Sequence, residues 1–101
     1  MNPTGYACYM RVRVQADKRA EFIGLVLQLK ADVARAMPEV GFYEFLATAE
    51  PLEFVFMQGF ASQAAFQAYA DAPFHMAMSA AGWACLDGEP HIEFLTPVEP
   101  A

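Results

Sequence analysis

Basic side chains are scarce in this chain, with six Lys and Arg against twelve Asp and Glu in 101 residues and a formal net charge of −6. Affinity for phosphate backbones comes mainly from clustered cations, so the balance argues against a nucleic-acid partner. Cysteine is scarcer still. Cys8 and Cys85 form no Cys-x-x-Cys pair and have no companions at metal-ligand spacing, which leaves disulfide frameworks, zinc ribbons and thioredoxin-like motifs unsupported. Both are read as buried thiols. No glycine-rich phosphate loop is present, which argues against dinucleotide binding, and no metal-binding cluster is visible, so no metal site is expected. Apolar runs stay well short of the roughly 18 residues of a membrane span, because Arg11, Arg13, Asp17 and Lys18 interrupt the first one. The amino-terminal Met-Asn-Pro-Thr-Gly lacks the basic-then-apolar order of a signal peptide. The expectation is a cytoplasmic protein with no membrane contact.

What the chain has in abundance is apolar surface. Apolar residues make up 56% and charged residues 18%, a mixture too greasy for a small single-domain monomer that must cover itself with polar groups. A single domain over residues 1–101 with a buried subunit interface is therefore expected.

Residues Tyr6 to Val14 alternate, with Tyr6, Cys8, Met10, Val12 and Val14 on one side and Ala7, Tyr9, Arg11 and Arg13 on the other, which predicts a strand. Asp17 offers an N-cap, and Phe22, Leu25, Val26, Leu29 and Val33 recur at helical spacing, so a helix is predicted over about 17–36, stopped by Met37-Pro38. Gly41 opens a second strand, Thr48-Ala-Glu-Pro51 turns the chain, and Leu52 to Phe60 returns as a third. Ser62 caps a second helix with Phe66, Tyr69 and Ala70 inward; Pro73 restarts it, and Phe74, Ala77, Met78 and Ala81 continue the stripe. Asp87-Gly-Glu-Pro90 is a turn, His91 to Thr96 a last strand, and residues 97–101 an irregular arm.

The order β-α-β-β-α-β with short connections is that of an α+β, ferredoxin-like fold: a four-stranded antiparallel sheet with two helices on one face. The other face would carry Tyr9 and, from the hairpin, either Tyr43/Phe45 or Phe42/Leu46. Two such faces closing on each other would make a dimeric α/β barrel.

The segments Met37-Pro-Glu-Val-Gly-Phe-Tyr43-Glu-Phe45, Ser62-Gln-Ala-Ala-Phe66-Gln-Ala-Tyr69 and Ala72-Pro-Phe-His-Met76 resemble the pattern of the antibiotic biosynthesis monooxygenase family. The likeness covers nearly the whole chain, through motifs that are mostly structural. It implies a homodimer whose apolar pocket takes a flat aromatic, quinol-like molecule and oxygenates it with molecular oxygen and no cofactor. The family's oxygenating and haem-degrading members draw on an asparagine, an aromatic residue and often a histidine. Here Cys8, Tyr9 and Met10 stand where a first-strand asparagine is expected, Tyr69 stands at the position of a helix tryptophan, and the order after Pro73 is Phe-His instead of His-Phe.

From these residues His75 is the candidate base and Tyr69 the candidate hydrogen-bond donor, with Trp83, Phe66, Phe74, Met78 and Met10 as candidate substrate-binding walls. Two rival readings follow: a haem-binding or haem-degrading relative with His75 as iron ligand, and a non-catalytic dimer that binds a small molecule. Arg11 and Arg13, on one strand face, are expected to pair with Glu44, Glu53 or Glu93 across strands.

Overall fold

A computed structural model describes residues 4–99. Strand β1 (Tyr6–Arg13) leads through a 3-10 turn (Ala16–Lys18) into α1 (Arg19–Ala36). The hairpin β2 (Phe42–Ala47) and β3 (Glu53–Phe60) follows, then α2 (Gln63–Ala70), α3 (Pro73–Trp83) and β4 (His91–Leu95). The strands pair antiparallel in the order β2-β3-β1-β4, the ferredoxin-like sheet expected from the element order. Residues 97–99 carry no regular structure; Asn2 and the last two residues of the expected arm lie outside the described residues.

Two helix starts behave differently. Ser62 caps α2 as its residue type demands, its Oγ accepting from the Ala65 N–H at 3.1 Å. Asp17 does not cap α1. The chain there tightens into the 3-10 turn, closed by Lys18 N–H donating to Gln15 C=O at 2.9 Å, and α1 begins at Arg19 with no side-chain cap. Tertiary bonds hold this corner instead: the Gln15 amide donates to the carbonyls of Ala84 and Leu86 at 3.2 and 3.1 Å. Further along, Pro73 occupies the first turn of a helix, where its missing N–H costs nothing, so the helix restarts there as expected and α2 and α3 are separate.

Strand register decides which faces meet the helices. Cys8, Gln58 and Tyr43 stand abreast, as do Met10, Phe56 and Phe45, so the inward hairpin set is Tyr43/Phe45 and the outward one Phe42/Leu46. Beneath the helices the core splits in two. Val12, Val14, Phe22, Val26, Phe54, Phe56 and Cys85 form one cluster. Leu29, Val33, Tyr43, Phe60 and Tyr69 form the other.

The outer face is less apolar than composition suggests. Phe42, Leu46 and Met57 are exposed along the hairpin, and the Phe42 ring covers bare backbone at Gly59, where even a Cβ would collide with it. Beside them runs a charged band: Arg11 pairs with Glu53 at 3.1 Å and Arg13 with the same carboxylate at 3.7 Å. That pairing across β1 and β3 is the expected one, with Glu53 as the partner. Strand β4 pairs only with β1, and all five of its residues are exposed.

Among the described residues no helix is long and apolar enough to cross a membrane.

Candidate functional site

Between the two core clusters the sheet and helices fail to close, leaving a cavity of about 160 Å³. Its walls draw on both clusters, Val12, Phe22, Val26 and Phe56 from one and Leu29, Tyr43 and Tyr69 from the other. Six of the seven residues singled out from sequence line it: His75, Tyr69, Trp83, Phe66, Met78 and Met10. Phe74 does not. It packs against the Leu29–Tyr69 cluster, because consecutive helical residues point about 100° apart and here it is His75 that falls on the cavity side.

The deep end is polar. Among the described residues Gln58 is the one side chain classed as both polar and buried, 5% exposed. It stands abreast of Tyr43 in the sheet, where its amide can act on the Tyr69 hydroxyl, and the Tyr69 and Tyr43 hydroxyls lie 2.8 Å apart. Burial pushes the Tyr43 phenol up to about 12, and burial together with Tyr43 drives the Tyr69 phenol higher still. Both hydroxyls therefore keep their protons at any working pH and serve as hydrogen-bond partners, not as bases. Cys8, abreast of Gln58, also lines this end, its thiol raised by burial and so held as the weakly nucleophilic S–H.

His75 stands where α3 begins. Its Nδ1 lies 3.0 Å from the Ala70 carbonyl. A carbonyl can only accept, so Nδ1 bears the hydrogen, and the neutral ring keeps its lone pair on Nε2. Burial lowers its pKa from 6.5 despite that bond, so the ring is neutral at pH 7 and able to take a proton. The imidazole also packs on the Tyr69 ring with centroids 4.3 Å apart. Base and hydroxyl pair are thus held as neighbours by residues from α2, α3 and the sheet.

The other end opens outward. Trp83 and Phe94, 44% and 52% exposed, frame the mouth with Ile92, and Phe94 braces against Tyr6 and Phe66 at centroid distances of 5.7 and 5.3 Å. Met10 and Met78 supply deformable wall between the ends. No Lys or Arg lines the cavity, and 160 Å³ lies below the roughly 300–1,000 Å³ of pockets for drug-sized ligands. A haem macrocycle with two propionates finds neither the volume nor the cations it needs, so the site does not fit that group.

Sequence reasoning missed Gln58 and Tyr43. For Gln58 a signal existed, a lone amide in the inward register of Phe54, Phe56 and Phe60. For Tyr43 none did, since β2 is apolar at Phe42, Tyr43, Phe45 and Leu46 and hides its own orientation.

A similar fold is widespread among solved structures. A candidate antibiotic biosynthesis monooxygenase from Caulobacter crescentus is 28% identical, matching over 95% of this chain and 92% of its own with a TM-score of 0.87. A protein from Mycobacterium tuberculosis matches at 20% identity over 97% and 99% of the two chains, TM-score 0.83. Another candidate antibiotic biosynthesis monooxygenase, from Nitrosomonas europaea, matches at 14% over 93% and 99%, TM-score 0.84, which speaks for the fold alone. No match is found among curated proteins. The family profile described as antibiotic biosynthesis monooxygenase spans residues 5–81, most of the chain. With that match, and with monooxygenase-like function as its general implication, the chain belongs to the antibiotic biosynthesis monooxygenase family.

Proposed function

We propose that this protein is a homodimeric, cofactor-independent monooxygenase acting on a flat aromatic, quinol-like small molecule. The observation that carries the reading is the neutral His75 imidazole, its Nε2 lone pair free, packed on Tyr69 beside an apolar cavity that ends in two protonated phenols. Such chemistry asks the protein for desolvation, orientation and a donor toward developing negative charge, all of which these residues supply.

In this reading His75 Nε2 takes a proton from the substrate, and the resulting anion passes one electron to molecular oxygen. The substrate radical and superoxide combine at carbon as a peroxide anion, which takes the proton back from His75, and the hydroperoxide loses its terminal oxygen as water together with the remaining hydrogen on that carbon to leave a carbonyl. One oxygen atom ends in the product and one in water, the electrons coming from the substrate itself. Tyr69, through its hydrogen bond to Tyr43, helps steady the substrate oxygen as charge builds. Size supports a partly inserted ligand: an engineered cavity of about 150 Å³ in another protein holds benzene, so the 160 Å³ here takes one ring. The remainder projects past Trp83 and Phe94.

The homodimer rests on the outer sheet face, where Phe42, Leu46 and Met57 are exposed together. Sedimentation at low micromolar concentration should find two chains; a single well-behaved subunit removes the dimer. For the reaction, oxygen uptake is measured with a panel of anthrones and quinols. Uptake that is lost in His75→Ala supports the reading. A protein that binds these compounds and consumes no oxygen with any of them is a binding module instead.

A further inference from the structure

Gln58, Tyr69 and Tyr43 are three buried polar side chains at one end of a largely apolar cavity that His75 and Ser79 also line, and burying them costs stability that Phe and Leu at the same positions would avoid. They also stand in line: Gln58 lies opposite Tyr43 in the sheet with its amide placed to act on the Tyr69 hydroxyl, and the Tyr69 and Tyr43 hydroxyls are 2.8 Å apart. A line of hydrogen bonds has a direction. If the Gln58 N–H donates to Tyr69, Tyr69 donates to Tyr43, and the Tyr43 proton is left for something in the cavity. If the amide turns over, its carbonyl accepts from Tyr69, Tyr69 accepts from Tyr43, and Tyr43 offers only lone pairs. Hydroxyls rotate freely, and amide oxygen and nitrogen exchange places by a half-turn, so both directions use the same heavy-atom positions. The Cys8 thiol beside them is a weak acceptor and competes poorly for the Tyr43 proton.

We propose that Tyr43 is the residue that contacts the ligand's oxygen, and that Gln58 is a positioning residue whose reversible amide lets Tyr43 donate to a carbonyl or accept from a hydroxyl at one place. The inference rests on the aromatic, oxygen-bearing ligand proposed above. It adds a specificity: the site holds the hydroxyl form of a substrate and the carbonyl form of its product equally well, with no side chain displaced as one becomes the other. Removing Gln58 breaks the symmetry. With a carbonyl ligand every proton in the line still has an acceptor, whereas with a hydroxyl ligand the last proton, on Tyr69, has none.

Indane, 1-indanol and 1-indanone test this, since they share one bicyclic frame and carry no oxygen, a hydroxyl or a carbonyl. Binding is measured by calorimetry, and the emission of Trp83, the single tryptophan, reports occupancy of the cavity. The wild-type protein is expected to prefer both oxygenated compounds to indane by similar factors. Tyr43→Phe should lose about tenfold for both and nothing for indane, and Gln58→Leu should lose about tenfold for 1-indanol alone. The carbonyl stretch of bound 1-indanone gives a second measure, shifted down in the wild-type protein and in Gln58→Leu but not in Tyr43→Phe. Tyr43→Phe that keeps the preference, Gln58→Leu that weakens both ligands equally or neither, or a wild-type protein indifferent to the oxygen overturns the assignment. A protein that shows the expected pattern and consumes no oxygen defeats the monooxygenase reading and leaves this one standing; the converse result does the opposite.

Discussion

The two ends of the cavity are built on opposite principles. At the deep end Gln58, Tyr43 and Tyr69 are buried, with Gln58 and Tyr43 set abreast by sheet register and the Tyr69 hydroxyl of α2 bonded to that of Tyr43. At the mouth Trp83, Ile92 and Phe94 are half-exposed and apolar, on the end of a helix and on an edge strand. Polar atoms deep inside are expensive to leave unpaired, so they discriminate sharply among ligands. Apolar surface at a rim gains little per contact, so it tolerates variation. Under the proposed function, a ligand would be recognised at its inserted tip and merely accommodated where it emerges.

The largest break in that contrast comes from removing the base. His75→Ala should lower kcat by about a hundredfold or more while the fold is kept, since positioned general bases contribute about 10²–10⁴; steady-state oxygen uptake with circular dichroism on the same sample checks both halves. Next is the deep-end hydroxyl. Tyr69→Phe deprives Tyr43 of its hydrogen-bond partner, and should lower turnover about tenfold with a stability loss of about 1–2 kcal/mol by urea titration. Unchanged kinetics would take Tyr69 out of the mechanism.

Protonation sharpens the comparison further. Because burial depresses His75 below 6.5, the acid limb of the rate profile should fall at a pH lower than 6.5. The same depression acts on stability. The unfolded chain binds this proton more readily than the folded one, so stability is full above about 6.5 and declines as pH falls through the folded pKa. An acid limb above 6.5 would mean that His75 is not the base.

At the mouth, Trp83→Ala should raise KM by about two- to tenfold with kcat nearly unchanged, the scale of a lost aromatic contact. A collapse of kcat there would show that the rim takes part in catalysis. Smallest of all, Arg11→Ala on the outer sheet face removes an exposed ion pair and should change monomer stability by less than about 1 kcal/mol in a denaturant melt.

Legibility from sequence follows the range of the interaction. Ser62 and Pro73 were readable because a cap and a helix restart depend on a few adjacent residues. The cavity-facing stripe of Phe66, Tyr69 and Met78 was readable from helical spacing. Asp17 misled because the competing force, Gln15 bonded to residues 84 and 86, is some seventy positions away in the chain. Tyr43 stayed hidden for the same reason: only its pairing opposite Gln58 shows which side of β2 it takes, and that register belongs to the folded sheet. Phe74 and His75 sat one residue apart, too close for periodicity with an unknown helix phase to separate them.

The break at Pro73 decides which parts are carried together. Pro73 has no amide hydrogen to give the preceding turn, so α2 and α3 are two separate helices instead of one. His75 and Trp83 share the second helix, while Tyr69 belongs to the first and Tyr43 and Gln58 to the sheet. A substitution that shifted α3 would therefore displace the candidate base and the rim of the cavity as a pair, and leave Tyr43 and Gln58 in their sheet positions.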